Sequence, residues 1–423
     1  MQNQRFSIHS LTGFGIITAI HNQCKSYNAK VRSNRGESVT RTRVRLFDTI
    51  RQNLIDQVYL GANPYRGNHS LWSIRRDQIV AEYLKTITGG NMNKSTNVSF
   101  QGETGIDAGG LRKELFRVVI DKLKEAQIFK KVSAESKVWE LNPAYNQFDF
   151  CTRNDQVRNK KNCFENVGKI VAKILIVEKD YIEVEFSNYL LQRLLDNEPR
   201  NLVDLFSISK LDDEDFFKGL TQGIGIDDAS WLGLDFDGLI PNGDATNVAN
   251  ENVYLYTHLK LKNSLINARK EVTDYFLTGF HSVLSGGILQ LSGTNANELD
   301  LILRGIPEIK ADDIQPLARS SGYAPRRDTE RIIGWFWEIV REIEATDPNF
   351  VPQLMIFWTS SRTIPTDIDT NNMKISVQNG RSTGRLPSSH TCFNTIDLSV
   401  YPSKQALKRK LEQAVRLSQG FDE

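Results

Sequence analysis

Cysteine is scarce in this chain: four in 423 residues. Cys24, Cys151, Cys163 and Cys392 form no C-x-x-C pair and keep no regular spacing. That argues against a disulfide framework or a zinc site, and for a reducing compartment. Histidine is nearly as rare at six. His258 and His281 both fall on helical patterns with no third ligand spaced to join them, so they read as packed or solvated helix residues and no metal is expected. Long apolar runs are missing as well. Nothing approaches the ~18 residues of a membrane span, and the N-terminus has no signal-peptide pattern, so the expected location is cytosol or nucleus.

Net charge is close to absent, +2 from 53 basic and 51 acidic side chains. It is unevenly spread: residues 1–70 hold ten Lys/Arg and three acids, a balance of +7 against −5 for the remainder. Few aromatics interleave with these charges, which argues against a nucleic-acid platform. The stretch reads as a solvated basic leader with one surface helix over Val44–Leu60, where Leu46, Ile50, Leu54 and Val58 recur every fourth position. The rest has an ordinary globular composition, 39% hydrophobic and 25% charged, and its length allows two to four domains.

Periodicity then sets the expected elements. Ser70 to Ile87 reads as a helix with Ile74, Ile79, Tyr83 and Leu84 on one face, and Val98-Ser99-Phe100 as a short strand. The glycine-rich turn Gly102 to Gly110 opens a helix. It matches neither phosphate-loop spacing, so tight packing, with Asp107 as a cap, is the better account. Residues 117–212 read mostly as helices, with one apolar stripe at Phe164, Val167, Ile170, Val171, Ile174 and Leu175 around Gly168. A second stripe is Phe186, Leu190 and Leu194. The segment 213–255 begins acidic (Asp212, Asp213, Glu214, Asp215) and continues with large apolar residues in little helical order: Trp231, Leu232, Leu234, Phe236, Leu239 and Ile240. Tyr254 to Phe280 returns to helix, with Leu255, Leu259, Leu265, Val272, Phe276 and Phe280 on core faces. Gly305-Ile306-Pro307 interrupts two apolar helices as a linker would. Asp328 is expected to cap a helix carrying Ile332, Phe336, Ile339 and Ile343. Leu354 to Trp358 is read as a buried strand and Met373 to Val377 as a second. Ser403 caps a last helix with Leu407, Leu411, Ala414 and Val415 inward, stopped by Gly420.

The stretch that organises the rest is Leu386-Pro387-Ser388-Ser389-His390-Thr391-Cys392-Phe393-Asn394. Ile396, Leu398 and Val400 alternate after it, so Cys392 stands in a polar loop at the entrance of a half-buried strand. A thiol reacts as its thiolate, which needs access and support for the anion. His390 and the loop amides are the candidates, although two residues of separation does not put them in contact. Taken alone, a free cysteine is most often a small buried hydrophobe.

This string closely resembles the catalytic loop of HECT-type ubiquitin ligases. Further segments carry the same resemblance: Ile74 to Asp77, where such domains usually begin, the glycine-rich run up to Phe116, Gly334-Trp335-Phe336-Trp337-Glu338, and Thr359 to Pro365. In the last of these, Ser360 stands where glycine is usual. The resemblance implies an α+β, bilobal architecture: a mostly helical N-lobe over 71–305 containing a conjugating-enzyme-binding subdomain at 213–255, a hinge at 306–308 next to Gly305, and an α/β C-lobe over 309–423. That subdomain is shorter here than is usual. The resemblance further implies that Cys392 accepts ubiquitin as a thioester from a charged conjugating enzyme and passes it to a lysine of a protein substrate. Thr391 and Asn394 would brace the loop or the ubiquitin tail. A phenylalanine usually four residues from the end, here Phe421 and third from the end, would aid transfer. Trp231 and its apolar neighbours would hold the conjugating enzyme. No cofactor, metal, nucleic acid or membrane span is implied. Two other readings fit the same residues: a silent HECT-like binding module, and a cysteine deubiquitinase, which normally places its cysteine at a helix N-terminus instead.

Overall fold

The computed structural model describes residues 70–88, 96–102, 110–148, 158–176, 178, 180–221, 224, 228–284, 295–305, 309–364, 373–381 and 385–418. The leader with its expected helix, the turn at 103–109 with Asp107, Ile306, Pro307, Gly420 and Phe421 lie outside these residues.

The described chain opens with β1 (Ser70–Ile74), paired in parallel with β2 (Thr96–Phe100). The expected continuous helix from Ser70 is therefore corrected. It starts only at α1 (Ile79–Thr88), because pairing with β2 satisfies the backbone of 70–74 and carries Ile74 into the core beside Val98 and Phe100. Next come α2 (Gly110–Glu125) and an antiparallel pair, β3 (Phe129–Lys131) with β4 (Trp139–Leu141), which breaks the mostly helical expectation for 117–212. Helices α3 (Lys160–Ile176), α4 (Asn188–Leu194), α5 (Leu202–Asp212), α6 (Glu214–Thr221), α7 (Val253–Leu261), α8 (Lys270–His281) and α9 (Ala296–Arg304) follow. A π-helical stretch, Lys262–Asn267, separates α7 from α8.

Helices α3 and α8 meet at bare backbone. A Cβ on Gly168 would stand 2.0 Å from Phe276 O, and one on Gly279 would stand 1.8 Å from Glu165 O. Two facing glycines let the helix axes approach, so the stripe predicted around Gly168 is buried against Val272, Phe276 and Phe280. The same core holds one costly pair. Lys173 Nζ lies 2.6 Å from Glu178, both buried, and Glu178 also accepts from the Thr96 amide and hydroxyl. Cys163, fully buried in α3, is disulfide-bonded. The sequence spacing holds no sign of this, since pairing depends on distance in the fold.

The first core closes with Leu303 and a separate one opens at Ile309, giving the bilobal α+β architecture. The second unit contains β5 (Ala318–Gly322), α10 (Arg326–Glu344), α11 (Phe350–Thr359), β6 (Met373–Arg381), β7 (Ser388–His390), β8 (Thr395–Val400) and α12 (Lys404–Leu417). Its sheet runs β5-β6-β8-β7, parallel except for the antiparallel β7–β8 pair. Ser403 caps α12 as expected, accepting from Ala406 N. Asp328 does not cap α10: Pro325 holds that position, and Asp328 lies in the first turn, 2.6 Å from Arg331.

Leu354 to Trp358 is helix, not strand. The apolar run is continuous because α11 is buried around most of its circumference, with Phe350, Val351, Leu354, Met355, Phe357 and Trp358 all inward. A short apolar run reads alike for either state. Pro352 in the first turn, where a missing N–H costs nothing, is the helix signal.

Candidate active site and partner surface

Cys392 lies in a single 3-10 turn, Thr391–Phe393, between β7 and β8. The turn closes through Asn394, whose φ of +46° is left-handed and whose N–H donates to Thr391 O at 3.3 Å. Asparagine tolerates this conformation better than most residues. Two donors then fix the Asn394 carbonyl: Lys374 N at 2.8 Å from β6, and Trp358 Nε1 at 2.7 Å from the end of α11. The turn is thus tied to the sheet on one side and to a fully buried indole on the other. Asn394 Oδ1 is itself buried without a hydrogen-bond partner. On the incoming side, Tyr401 OH donates to Arg385 O at 3.1 Å; burial pushes its phenol up to about 12, so it remains a donor.

Around this frame the surface is open. Phe393 is 68% exposed, Thr391 is half-buried and His390 is exposed. His390 Nε2 lies 3.2 Å from Asp397 Oδ2, across the β7–β8 pair. Asp397 is not among the residues expected from sequence. It points to the same sheet neighbourhood as His390 only because β8 folds back antiparallel beside β7, which fixes Ser388 opposite it. The contact orients the imidazole across the β7–β8 pair. Sequence reasoning misses Trp358 likewise, since its role depends on α11 being a helix.

The expected partner residues divide. Trp231 is 88% exposed, presented by the 3-10 turn Ala229–Leu232, which Asp228 caps and Gly233 ends in the left-handed region. Leu234 is exposed, while Leu232, Leu239 and Ile240 are half-buried. Phe236 is corrected: at 1% exposure it is the centre of a small core with Ala229, Val248, Val253 and Tyr256, edge-on to Tyr256 at 5.4 Å. Leu255 is corrected in the other direction. Its periodicity suggests a core face, yet it is 54% exposed, as is its neighbour Tyr254 at 57%. The inward face of α7 is Val253, Tyr256, Thr257 and Leu261, so the four-residue spacing through Val253 and Thr257 is the legible signal. Trp231, Leu234, Tyr254 and Leu255 are thus the exposed large apolar residues described in this subdomain.

Of the expected hinge, Gly305 is described. It ends α9 with a φ of +75°, and a Cβ there would stand 2.5 Å from Thr363 Oγ1. His281 Nε2 lies 3.4 Å from Leu194 O, a helix residue packed as expected. Among the described residues no helix is long and apolar enough to cross a membrane.

A family model described as the HECT-domain (ubiquitin-transferase) matches residues 117–423. The chain therefore belongs to the HECT-domain family. Among curated relatives it is 28% identical over 350 residues to an E3 ubiquitin-protein ligase TOM1-like of Neurospora crassa, covering 77% of this chain and 8% of that protein. It is 26% identical over 375 residues to the E3 ubiquitin-protein ligase HUWE1 of Mus musculus, covering 82% and 8%. To the E3 ubiquitin-protein ligase pub3 of Schizosaccharomyces pombe it is 25% identical over 384 residues, covering 85% and 46%. The chain thus spans less than half the length of each of these three relatives.

Proposed function

We propose that this chain is a ubiquitin ligase working through a thioester on Cys392. The thiolate attacks the carbonyl of the thioester that joins ubiquitin to a conjugating enzyme. The conjugating enzyme's thiol leaves and ubiquitin is now bonded to Cys392 sulfur. A substrate lysine amine, deprotonated and positioned, then attacks that carbonyl to form an amide and release the Cys392 thiol. Thioester exchange is nearly balanced in energy, so the first step needs no strong base. His390, oriented by Asp397, and the loop amides suit the proton handling that remains. Thr391 and Asn394 shape the turn, and Phe421 is the proposed transfer aid. The division into an N-lobe at 71–305, a hinge at 306–308 and a C-lobe at 309–423 belongs to this proposal, with Ile306 and Pro307 completing the hinge begun at Gly305. Trp231, Leu234, Tyr254 and Leu255 are the proposed docking residues for the conjugating enzyme, together with the half-buried Leu232, Leu239 and Ile240.

The observation that carries this reading is the position of Cys392: in a tight turn tied to α11 and β6, flanked by exposed Phe393 and His390, inside the family match. The test is non-reducing electrophoresis with ubiquitin, activating enzyme and a panel of conjugating enzymes. Wild type should give a dithiothreitol-labile band, Cys392→Ala none, and Cys392→Ser a reductant-resistant ester. Trp231→Ala should slow loading at limiting conjugating enzyme roughly tenfold, as the loss of an interface anchor does. Partner binding with no adduct would instead identify a silent binding module, and release of ubiquitin from conjugates a deubiquitinase.

A further inference from the structure

Among the described residues, the two lobes meet at a built polar contact. Glu183, in the extended segment after α3, holds a left-handed backbone with φ of +52°. Its Oε1 accepts from two donors that lie 178 and 179 residues further along the chain: Ser361 Oγ at 3.0 Å and Arg362 N at 2.8 Å. Its Oε2 is buried and has no hydrogen-bond partner. Ser361 is almost fully buried and is itself held by Thr363, the residue that Gly305 packs against. The donor loop follows directly from α11, whose Trp358 anchors the cysteine turn. Lys124 lies in the same electrostatic neighbourhood: burial lowers its ammonium, Arg362 adds to that, and Asp121 and Glu183 oppose it.

Each feature is a cost unless the contact has a use. A non-glycine left-handed residue and a carboxylate with one oxygen orphaned both disfavour this arrangement. The two charge-assisted hydrogen bonds oppose them. The balance is suited to a contact that holds and releases.

We propose that Glu183 is a positioning residue that holds the C-lobe in its resting orientation through the 361–362 backbone and hydroxyl, and that this contact opens during the reaction. The structural half stands on the geometry; the catalytic half rests on the function proposed above. Glu183 supplies a restraint that decides how the lobe populations divide.

The test uses the full chain as wild type, Glu183→Ala and Ser361→Ala. Hydrogen exchange at the Arg362 amide reads the closed fraction directly. It should rise roughly tenfold in Glu183→Ala, and less in Ser361→Ala, which leaves the Arg362 bond intact. Small-angle scattering should show a wider spread of lobe separations in Glu183→Ala. Single-turnover assays then compare the rate of ubiquitin arrival on Cys392 with its rate of departure to lysine. The ratio of the two should change at least threefold, with folded stability of the N-lobe kept. Unchanged Arg362 exchange would overturn the whole proposal. Faster exchange with an unchanged rate ratio would overturn the catalytic half. If Glu183→Ala fails to fold, Glu183→Gln, which keeps the side chain's shape and weakens both acceptor bonds, is read by the same exchange and rate ratio, with a smaller expected rise and the same overturning outcomes. If wild type takes no ubiquitin at all, the function proposed above fails, while the exchange and scattering results still decide the restraint.

Discussion

Replacing Trp358 with phenylalanine tests whether the Cys392 turn depends on a buried donor in α11. The indole Nε1–H donates to Asn394 O at 2.7 Å, and the ring packs edge-on to Phe336 at 6.0 Å and beside Trp337 at 6.2 Å. Trp358→Phe removes the donor, worth about 1 kcal/mol net. The lost ring leaves a void costing about 1–2 kcal/mol more. No orphan penalty is added, because Lys374 N still donates to the same carbonyl at 2.8 Å. The total is about 2–3 kcal/mol, which lowers the melting temperature of the C-lobe by about 10 °C. The turn keeps one of its two carbonyl anchors, so ubiquitin loading on Cys392 should fall roughly tenfold through misplacement alone. Calorimetry and single-turnover loading measure the two effects separately. Phe336→Leu is the control: it costs about 1–2 kcal/mol of core packing without touching Asn394. It should lower the melting temperature and leave loading unchanged. The reasoning is refuted if Trp358→Phe melts about 10 °C lower yet loads at the wild-type rate, or if Phe336→Leu slows loading as much.

Further outcomes follow from other parts of the fold. Gly168→Ala forces a methyl to 2.0 Å from Phe276 O, backbone against backbone, so it should cost upwards of about 3 kcal/mol and give little folded protein in urea titration. Ser360→Gly should raise stability by about 1 kcal/mol, because Ser360 ends α11 at φ of +63° where glycine carries no Cβ penalty; chemical denaturation reads this. Asp212 sets a pH dependence. Burial pushes its carboxyl from 3.8 to about 6, although it accepts from Asn188 N at 2.6 Å and Tyr189 N at 3.4 Å. An acid raised in the folded state gives stability that is present below its ordinary value and lost as pH rises through about 6; at most about 3 kcal/mol is involved. Asp180 and Asp300 are pushed to about 6 by burial as well and slope the same way. The difference in melting between wild type and Asp212→Asn across pH 4.5 to 7 isolates the Asp212 part; equal slopes would refute it.

Much of the second unit is legible in the sequence because its signals are local. Alternation marks β6 and β8, a Ser403 cap opens α12, and a lone cysteine in a polar string marks the turn between β7 and β8. The first α-helical stripes are equally plain, since apolar residues at helical spacing around Gly168 need no partner to be recognised. The misreadings share one cause. Ser70–Ile74 and Leu354–Trp358 are short apolar segments whose state is chosen by what they pack against, a parallel strand in one case and a surrounding core in the other. Burial direction fails for the same reason at Leu255 and Phe236: composition marks a residue as apolar, not which side of a small core it will face.

By itself the sequence determined the chemistry available: one cysteine in a turn-prone polar string, a histidine two residues before it, and enough periodic apolar surface for two cores. The tertiary structure alone decided the pairings. Asp397 meets His390 through an antiparallel register, Trp358 reaches Asn394 from a helix, and Glu183 holds a loop 178 residues away. Local side-chain spacing is written in the order of residues. A hydrogen bond between distant segments is written only in their relative placement, which packing of the whole chain sets.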